Sequence, residues 1–141
     1  MMWKEKYRVG VDLIDLQHKE LFKRVSEFIN IVQDKNTTKW KDKIQQIKKT
    51  MIFMQEYVVS HFDAEEAYQK KINYPDKKNH EKIHSDFKNM VNNYAIRLEK
   101  ENYPEELVKE LAGKLMTWLI MHVTQTDQKI GDFVKKQGGE I

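Results

Sequence analysis

The chain contains no cysteine among its 141 residues. That absence removes disulfides, thiolate-bound zinc, iron–sulfur clusters and thiol catalysis together. Proline occurs twice and glycine five times, so little interrupts a helical pattern. Long hydrophobic runs are missing too. The longest, "MIFM" at 51–54 and "WLIM" at 118–121, are far too short to span a bilayer. The opening "MMWKEKYRVG" has no apolar run of a secretory leader. No membrane partner and a cytoplasmic location are therefore expected. Charge of one sign is also scarce, with 25 basic against 22 acidic residues and a net +3. The basic residues come as scattered pairs such as Lys48–Lys49 and Lys77–Lys78. They read as solvated helix surface, and no nucleic-acid partner is expected.

Apolar residues recur at steps of three and four, the helical period. One stripe runs Ile14, His18, Leu21, Phe22, Val25, Phe28, Ile29, Val32. A second runs Ile44, Ile47, Met51, Met54, Val58, His61, Phe62, Glu65. A third runs His80, Ile83, His84, Phe87, Val91, Tyr94, Leu98, and a fourth Leu107, Leu111, Leu115, Trp118, Leu119, His122. "DKNTTK" separates the first two, and "NYP" occurs at 73–75 and again at 102–104. Pro104 suits the first turn of the fourth helix. The pattern predicts one all-α domain over 1–141, with helices near 12–34, 38–71, 76–101 and 104–127. Short connections make neighbours antiparallel, giving an up-down-up-down four-helix bundle. An irregular N-terminal arm is expected to pack through Trp3 and Tyr7. A short helical tail over 128–137 is expected to fray at Gly138-Gly139.

All five histidines lie on the apolar stripes. One histidine on a core face is ordinarily a hydrogen-bonded structural residue; five together need a common purpose. Residues four apart on a helix are separated by only ~40°. His61 and Glu65 have that spacing, as do His80 and His84 in "HEKIH". Each pair can send two donors to one point. His18 comes from the first helix and His122 from the fourth, so every helix contributes. Imidazole with carboxylate suits zinc, iron or copper, and five imidazoles are too many for one tetrahedral zinc. Two metal ions are the natural count. Asp127 is not selected by spacing. Five residues after His122, it falls ~140° away on a regular helix. It can join the site only if the helix is locally distorted, or if the two residues approach different sides of a metal pair.

"HEKIH" also fits the zinc-protease pattern H-E-x-x-H. Its extended form fails, because position 87 is Phe and position 90 is Met. Glu99 and Glu101, the acidic candidates for a third ligand, lie on the order of 20 Å beyond His84 along the helix. Glu81 reads as a bystander. A ferritin-like di-iron oxidase would need two Glu-x-x-His motifs; this chain has one, "EKIH" at 81–84.

Four segments carry a resemblance: "VGVDLIDLQHKELF" (9–22), "HFDAEE" (61–66), "YPDKKNHEKIHSDF" (74–87) and "HVTQTDQKIGDF" (122–133). In this order they resemble the hemerythrins, in particular the single-domain bacterial members. The resemblance implies two iron ions (Fe2+/Fe3+) with an oxo or hydroxo bridge. His80, His84 and His122 would hold one iron, and His18 and His61 the other. Glu65 and Asp127 would bridge them. Dioxygen would bind reversibly at a vacancy on the iron of His18 and His61. The implied function is oxygen storage, delivery or scavenging by a binding protein that is not an enzyme. The alternatives are a di-iron oxidase, a peroxide- or nitric-oxide-detoxifying enzyme, or a stand-alone oxygen or iron sensor. Leu21, Phe62, Trp118, Leu119, Val123 and Thr124 are expected around the oxygen. Two departures stand out. Thr124 replaces the bulky aliphatic, often leucine, usual in the family, and Gln69 stands where methionine or another apolar residue is common. Thr124 either makes the pocket more polar or bonds the carbonyl four residues back.

Overall fold

The two Asn-Tyr-Pro triplets are helix stops. The computed structural model describes residues 3–34 and 39–137. Most of the "DKNTTK" connection and the Gly138-Gly139 pair lie outside the described residues. Five α-helices follow a short 3-10 turn at Glu5–Tyr7: α1 (Asp12–Gln33), α2 (Trp40–Lys71), α3 (Lys77–Glu101), α4 (Glu105–Met121) and α5 (Gln128–Lys136). No strand occurs among the described residues. At the end of α2, Asn73 turns left-handed at φ 56°, and Tyr74 N–H returns to the Gln69 carbonyl at 2.9 Å. At the end of α3, Asn102 does the same at φ 63°, and Tyr103 N–H returns to Leu98 at 2.8 Å. Asparagine tolerates this conformation better than most side chains. Pro104 stands one place before α4, and its carbonyl accepts Leu107 and Val108 N–H at 3.1 Å.

α1 packs on α2 and α4, α2 on α3, and α3 on α4. This closes the expected four-helix bundle. The stripes read from the sequence are buried except at Ile44, Ile83 and Trp118, which are partly exposed, while Asp15 joins the buried face of α1 and Lys43 and Gln69 that of α2. The main core fills the bundle, with Phe28, Ile47, Leu98 and Leu111 fully buried. A smaller cluster of Val9, Val11, Ile14, Tyr74, Ile130 and Val134 joins the arm to α5. Trp3 meets Phe22 edge-on at 5.7 Å, and Tyr7 stacks on Phe22 at 5.0 Å. No helix among the described residues is long and apolar enough to cross a membrane.

Antiparallel order places the site. The start of α1, the end of α2, the start of α3 and the end of α4 share one end of the bundle. His18, His61 and Glu65, His80 and His84, and His122 occupy those four positions.

Candidate metal centre

Five imidazoles and two carboxylates converge at that end. None of His18, His61, Glu65, His80, His84, His122 and Asp127 is more than 2 % exposed. Asp127 arrives by a local distortion of the helix. Residues His122–Thr126 form a π-turn, in which Asp127 N–H bonds the His122 carbonyl at 2.8 Å. The wider turn brings the fifth residue round to the face of the first, which a regular helix would not do.

Each carboxylate straddles the site. Glu65 Oε2 faces His61 Nε2 at 3.4 Å, His18 Nε2 at 3.9 Å and His122 Nε2 at 4.0 Å. Its Oε1 faces His84 Nε2 at 3.2 Å and His80 Nδ1 at 3.7 Å. Asp127 divides in the same way. Oδ2 lies 2.7 Å from both His18 Nε2 and His122 Nε2, and Oδ1 lies 3.8 Å from His80 Nδ1. Two donor sets result, each with its atoms within 4.8 Å of one another: His18, His61, Glu65, His122 and Asp127; and Glu65, His80, His84 and Asp127. Both sets contain both carboxylates. The resemblance groups His122 with His80 and His84. By donor distance it falls with His18 and His61, although its ring centroid is nearer His84 (5.4 Å) than His18 (5.9 Å). His122 therefore stands between the two sets.

The donor atoms fit cations. Both Glu65 oxygens, Asp127 Oδ1 and the Nε2 atoms of His61, His80, His84 and His122 are buried without a hydrogen-bond partner. Each such atom costs about 1–3 kcal/mol if left unmet. His122 Nε2 is close to Asp127 without the alignment of a hydrogen bond. Metal ions would satisfy these lone pairs and balance two buried carboxylates.

Electrostatics within the cluster are strongly coupled. Burial alone would push His18 down, but the hydrogen bond and charge of Asp127, with Glu65 and Asp15 behind it, raise it overall. Burial opposes His84 protonation as well, and Glu65 with Glu66 raises it. Burial lowers His61 to about 3, against the pull of Glu65. Glu65 and Asp127 are both pushed up by burial, yet the surrounding imidazoles hold them below the usual carboxylate range.

Outside the donor sets lie three polar residues that periodicity did not assign. Gln17 Oε1 is 2.7 Å from His61 Nδ1, Glu66 Oε2 is 3.0 Å from His84 Nδ1, and Gln69 Nε2 is 3.0 Å from His80 Nδ1. Gln17 and Glu66 accept from Nδ1 of His61 and His84 and so leave each Nε2 as an acceptor, whereas the Gln69 amide donates to Nδ1 of His80, the nitrogen that faces Glu65 and Asp127. For Gln17 and Glu66 the sequence signal was their place beside the stripes; Gln69 had already stood out as a polar residue where the family commonly has an apolar one, and it meets His80. Glu81 is in neither set and pairs with Lys77.

Apolar rings back the cluster. Phe62 stacks on His84 at 3.8 Å, and Trp118 on His122 at 4.4 Å. Beyond them a narrow apolar cavity is lined by Leu21, Phe62, Phe87, Trp118 and Leu119 among others. It is about the size of a single water. Of the expected pocket residues, Leu21, Phe62, Trp118 and Leu119 line it. Val123 is fully buried but does not line it. The Thr124 hydroxyl donates to the Ile120 carbonyl at 2.7 Å, the backbone bond that was one of its two expectations.

The chain is similar to known proteins. The family model "Hemerythrin HHE cation binding domain" matches residues 9–134. A bacteriohemerythrin of Pseudomonas paraeruginosa is 29% identical over 141 residues, covering 100% of this chain and 86% of that protein. A bacteriohemerythrin of Clostridium acetobutylicum is 25% identical, covering 93% and 98%. A myohemerythrin of Theromyzon tessulatum is 27% identical, covering 90% and 88%.

Proposed function

The chain belongs to the hemerythrin family, and from that premise we propose that it binds dioxygen reversibly at a di-iron centre. One observation carries the proposal: Glu65 and Asp127 each present one oxygen to one group of histidines and the second oxygen to the other. Carboxylates so placed could each serve two ions. His18, His61, His80, His84 and His122 would supply the remaining protein ligands. When bound, the ferrous pair supplies the electrons for oxygen binding and recovers them on release.

The protein's own part is to hold, orient and exclude. His61, with its pKa near 3, keeps a free lone pair at neutral pH. Glu66 accepts the Nδ1 proton of His84 and Gln17 that of His61, which directs each Nε2 inward. Leu21, Phe62, Trp118 and Leu119 keep water, and hence stray protons, from the ligand. The small cavity behind the Phe62 and Trp118 rings is lined by apolar side chains, an environment that suits a small apolar ligand such as dioxygen. Metal analysis combined with an oxygen titration followed by absorption tests this. Two irons per chain and a spectrum that reverts on removing oxygen are expected. One zinc per chain, or steady oxygen consumption, would sink it.

A further inference from the structure

Asp127 reaches the cluster only because the helix is distorted there, and the distortion has a brace. The Gln128 side-chain amide points its nitrogen at three carbonyls: Arg8 at 2.9 Å, Tyr7 at 3.2 Å and Val123 at 3.4 Å. Two belong to the N-terminal arm and the third to the π-turn. Three acceptors leave no doubt which end of the amide faces them, since only its nitrogen donates. In a regular helix the Val123 carbonyl would take the Asp127 N–H, which here goes to His122. The Gln128 amide thus meets a carbonyl that the π-turn has deprived of that partner.

The arm is itself fixed from both sides. Buried Asp15 accepts Val9 N–H at 2.6 Å and Gly10 N–H at 3.2 Å, with Arg8 Nε 3.6 Å away. Gly10, at φ 96°, makes the bend this requires. On the far side Gly131 lies so close that a Cβ there would meet the Val9 carbonyl at 2.0 Å. The arm therefore rests directly on the segment that follows Asp127.

We propose that Gln128 is a positioning residue that clamps the arm to the π-turn and so holds Asp127 in its bridging place, making metal affinity depend on the N-terminal arm. The inference rests on the di-iron reading of the site. It implies reciprocity: an arm that favours metal binding must be steadied in turn by bound metal.

The test uses the full chain, stripped of metal and titrated anaerobically with ferrous iron against a competing chelator. Gln128→Glu keeps the size but offers an acceptor to three acceptors. Gln128→Lys restores a donor. Hydrogen exchange of residues 3–11 is followed with and without iron, and thermal melting of the metal-free proteins serves as a fold control. We expect Gln128→Glu to bind iron about tenfold more weakly and Gln128→Lys to recover the wild-type affinity. Iron should slow exchange in the wild-type arm and leave the Gln128→Glu arm unchanged. Equal affinity in Gln128→Glu and wild type overturns the clamp, as does a wild-type arm whose exchange ignores iron. Should Gln128→Glu fail to fold, the wild-type exchange comparison alone decides. A wild type that takes up no ferrous iron fails the di-iron reading itself, a result separate from all of these.

Discussion

The ligand set is held by residues that do not ligate. Glu66 illustrates this: it follows the candidate bridge Glu65 in the chain, yet its carboxylate turns to His84 Nδ1 at 3.0 Å. Removing it should leave the fold intact and loosen the ring. Glu66→Ala is expected to weaken metal binding roughly 10- to 100-fold, read by competition with a chelator, and an unchanged affinity would count against its role. Protonation gives a second test. In the metal-free protein His18 and His84 are raised above 6.5, in spite of burial, by the carboxylates they face. Their protons add stability that is fully present below the unfolded value and lost as pH rises through the raised ones. Asp127 and Glu65 are depressed, so their contribution holds above the unfolded carboxylate value and is lost as pH falls through the lowered ones. Metal must displace any proton held on these two histidines. Affinity should therefore fall as pH decreases through the raised values, and loading near neutrality should release protons. Calorimetry in buffers of different ionisation enthalpy counts them, and a count of zero would contradict this charge pattern.

Among the elements, α4 and α5 differ sharply in what a methyl group would do. Gly113 in α4 has nothing within 4 Å of a built Cβ, whereas at Gly131 in α5 the Cβ meets the Val9 carbonyl at 2.0 Å. Gly113→Ala should stabilise the protein by about 0.5–1 kcal/mol through helix propensity alone. Gly131→Ala should destabilise it by about 1–3 kcal/mol, because the arm must move. Urea unfolding of the two metal-free variants measures the pair, and like signs would refute the close approach. The same region marks where the sequence stopped being readable. Most helix ends were legible within about two residues because Asn-Tyr-Pro and the stripes mark them chemically, but the fourth helix, expected to run to 127, ends as α-helix at Met121, where the π-turn begins. His18, His61, Glu65, His80, His84 and His122 were legible because spacing of four and core faces are periodic properties. Asp127 was named through the resemblance alone. Periodicity assumes a constant turn per residue, and the π-turn at His122–Thr126 breaks that assumption. Gln17 and Glu66 escaped because each meets a histidine on a different helix, a pairing that no local pattern encodes. The arm has no period at all, so its clamp on Gln128 was invisible.

At the scale of the molecule, the candidate metal centre lies toward one end of the bundle, and much of the apolar core lies beyond it. The candidate ligands cluster where α1 and α3 begin and α2 and α4 end. The remaining length is filled by side chains such as Phe28, Ile47, Leu98 and Leu111, all fully buried. That distal core needs no ion. The ligand end does, since its buried carboxylate oxygens and ring nitrogens lack partners without one. Removing metal should therefore weaken the protein without unfolding it. A ligand at 100 times its dissociation constant adds about 2.7 kcal/mol, and each kcal/mol moves a domain of this size by roughly 2–4 °C. Anaerobic loading with ferrous iron should raise the melting temperature on the order of 10 °C. A chelator should reverse the shift while circular dichroism at room temperature keeps most of its helical signal. A chain that loses its helix on metal removal would show instead that the distal core cannot stand alone. One that melts at the same temperature with and without iron would show that the buried cluster holds no ion in the folded state.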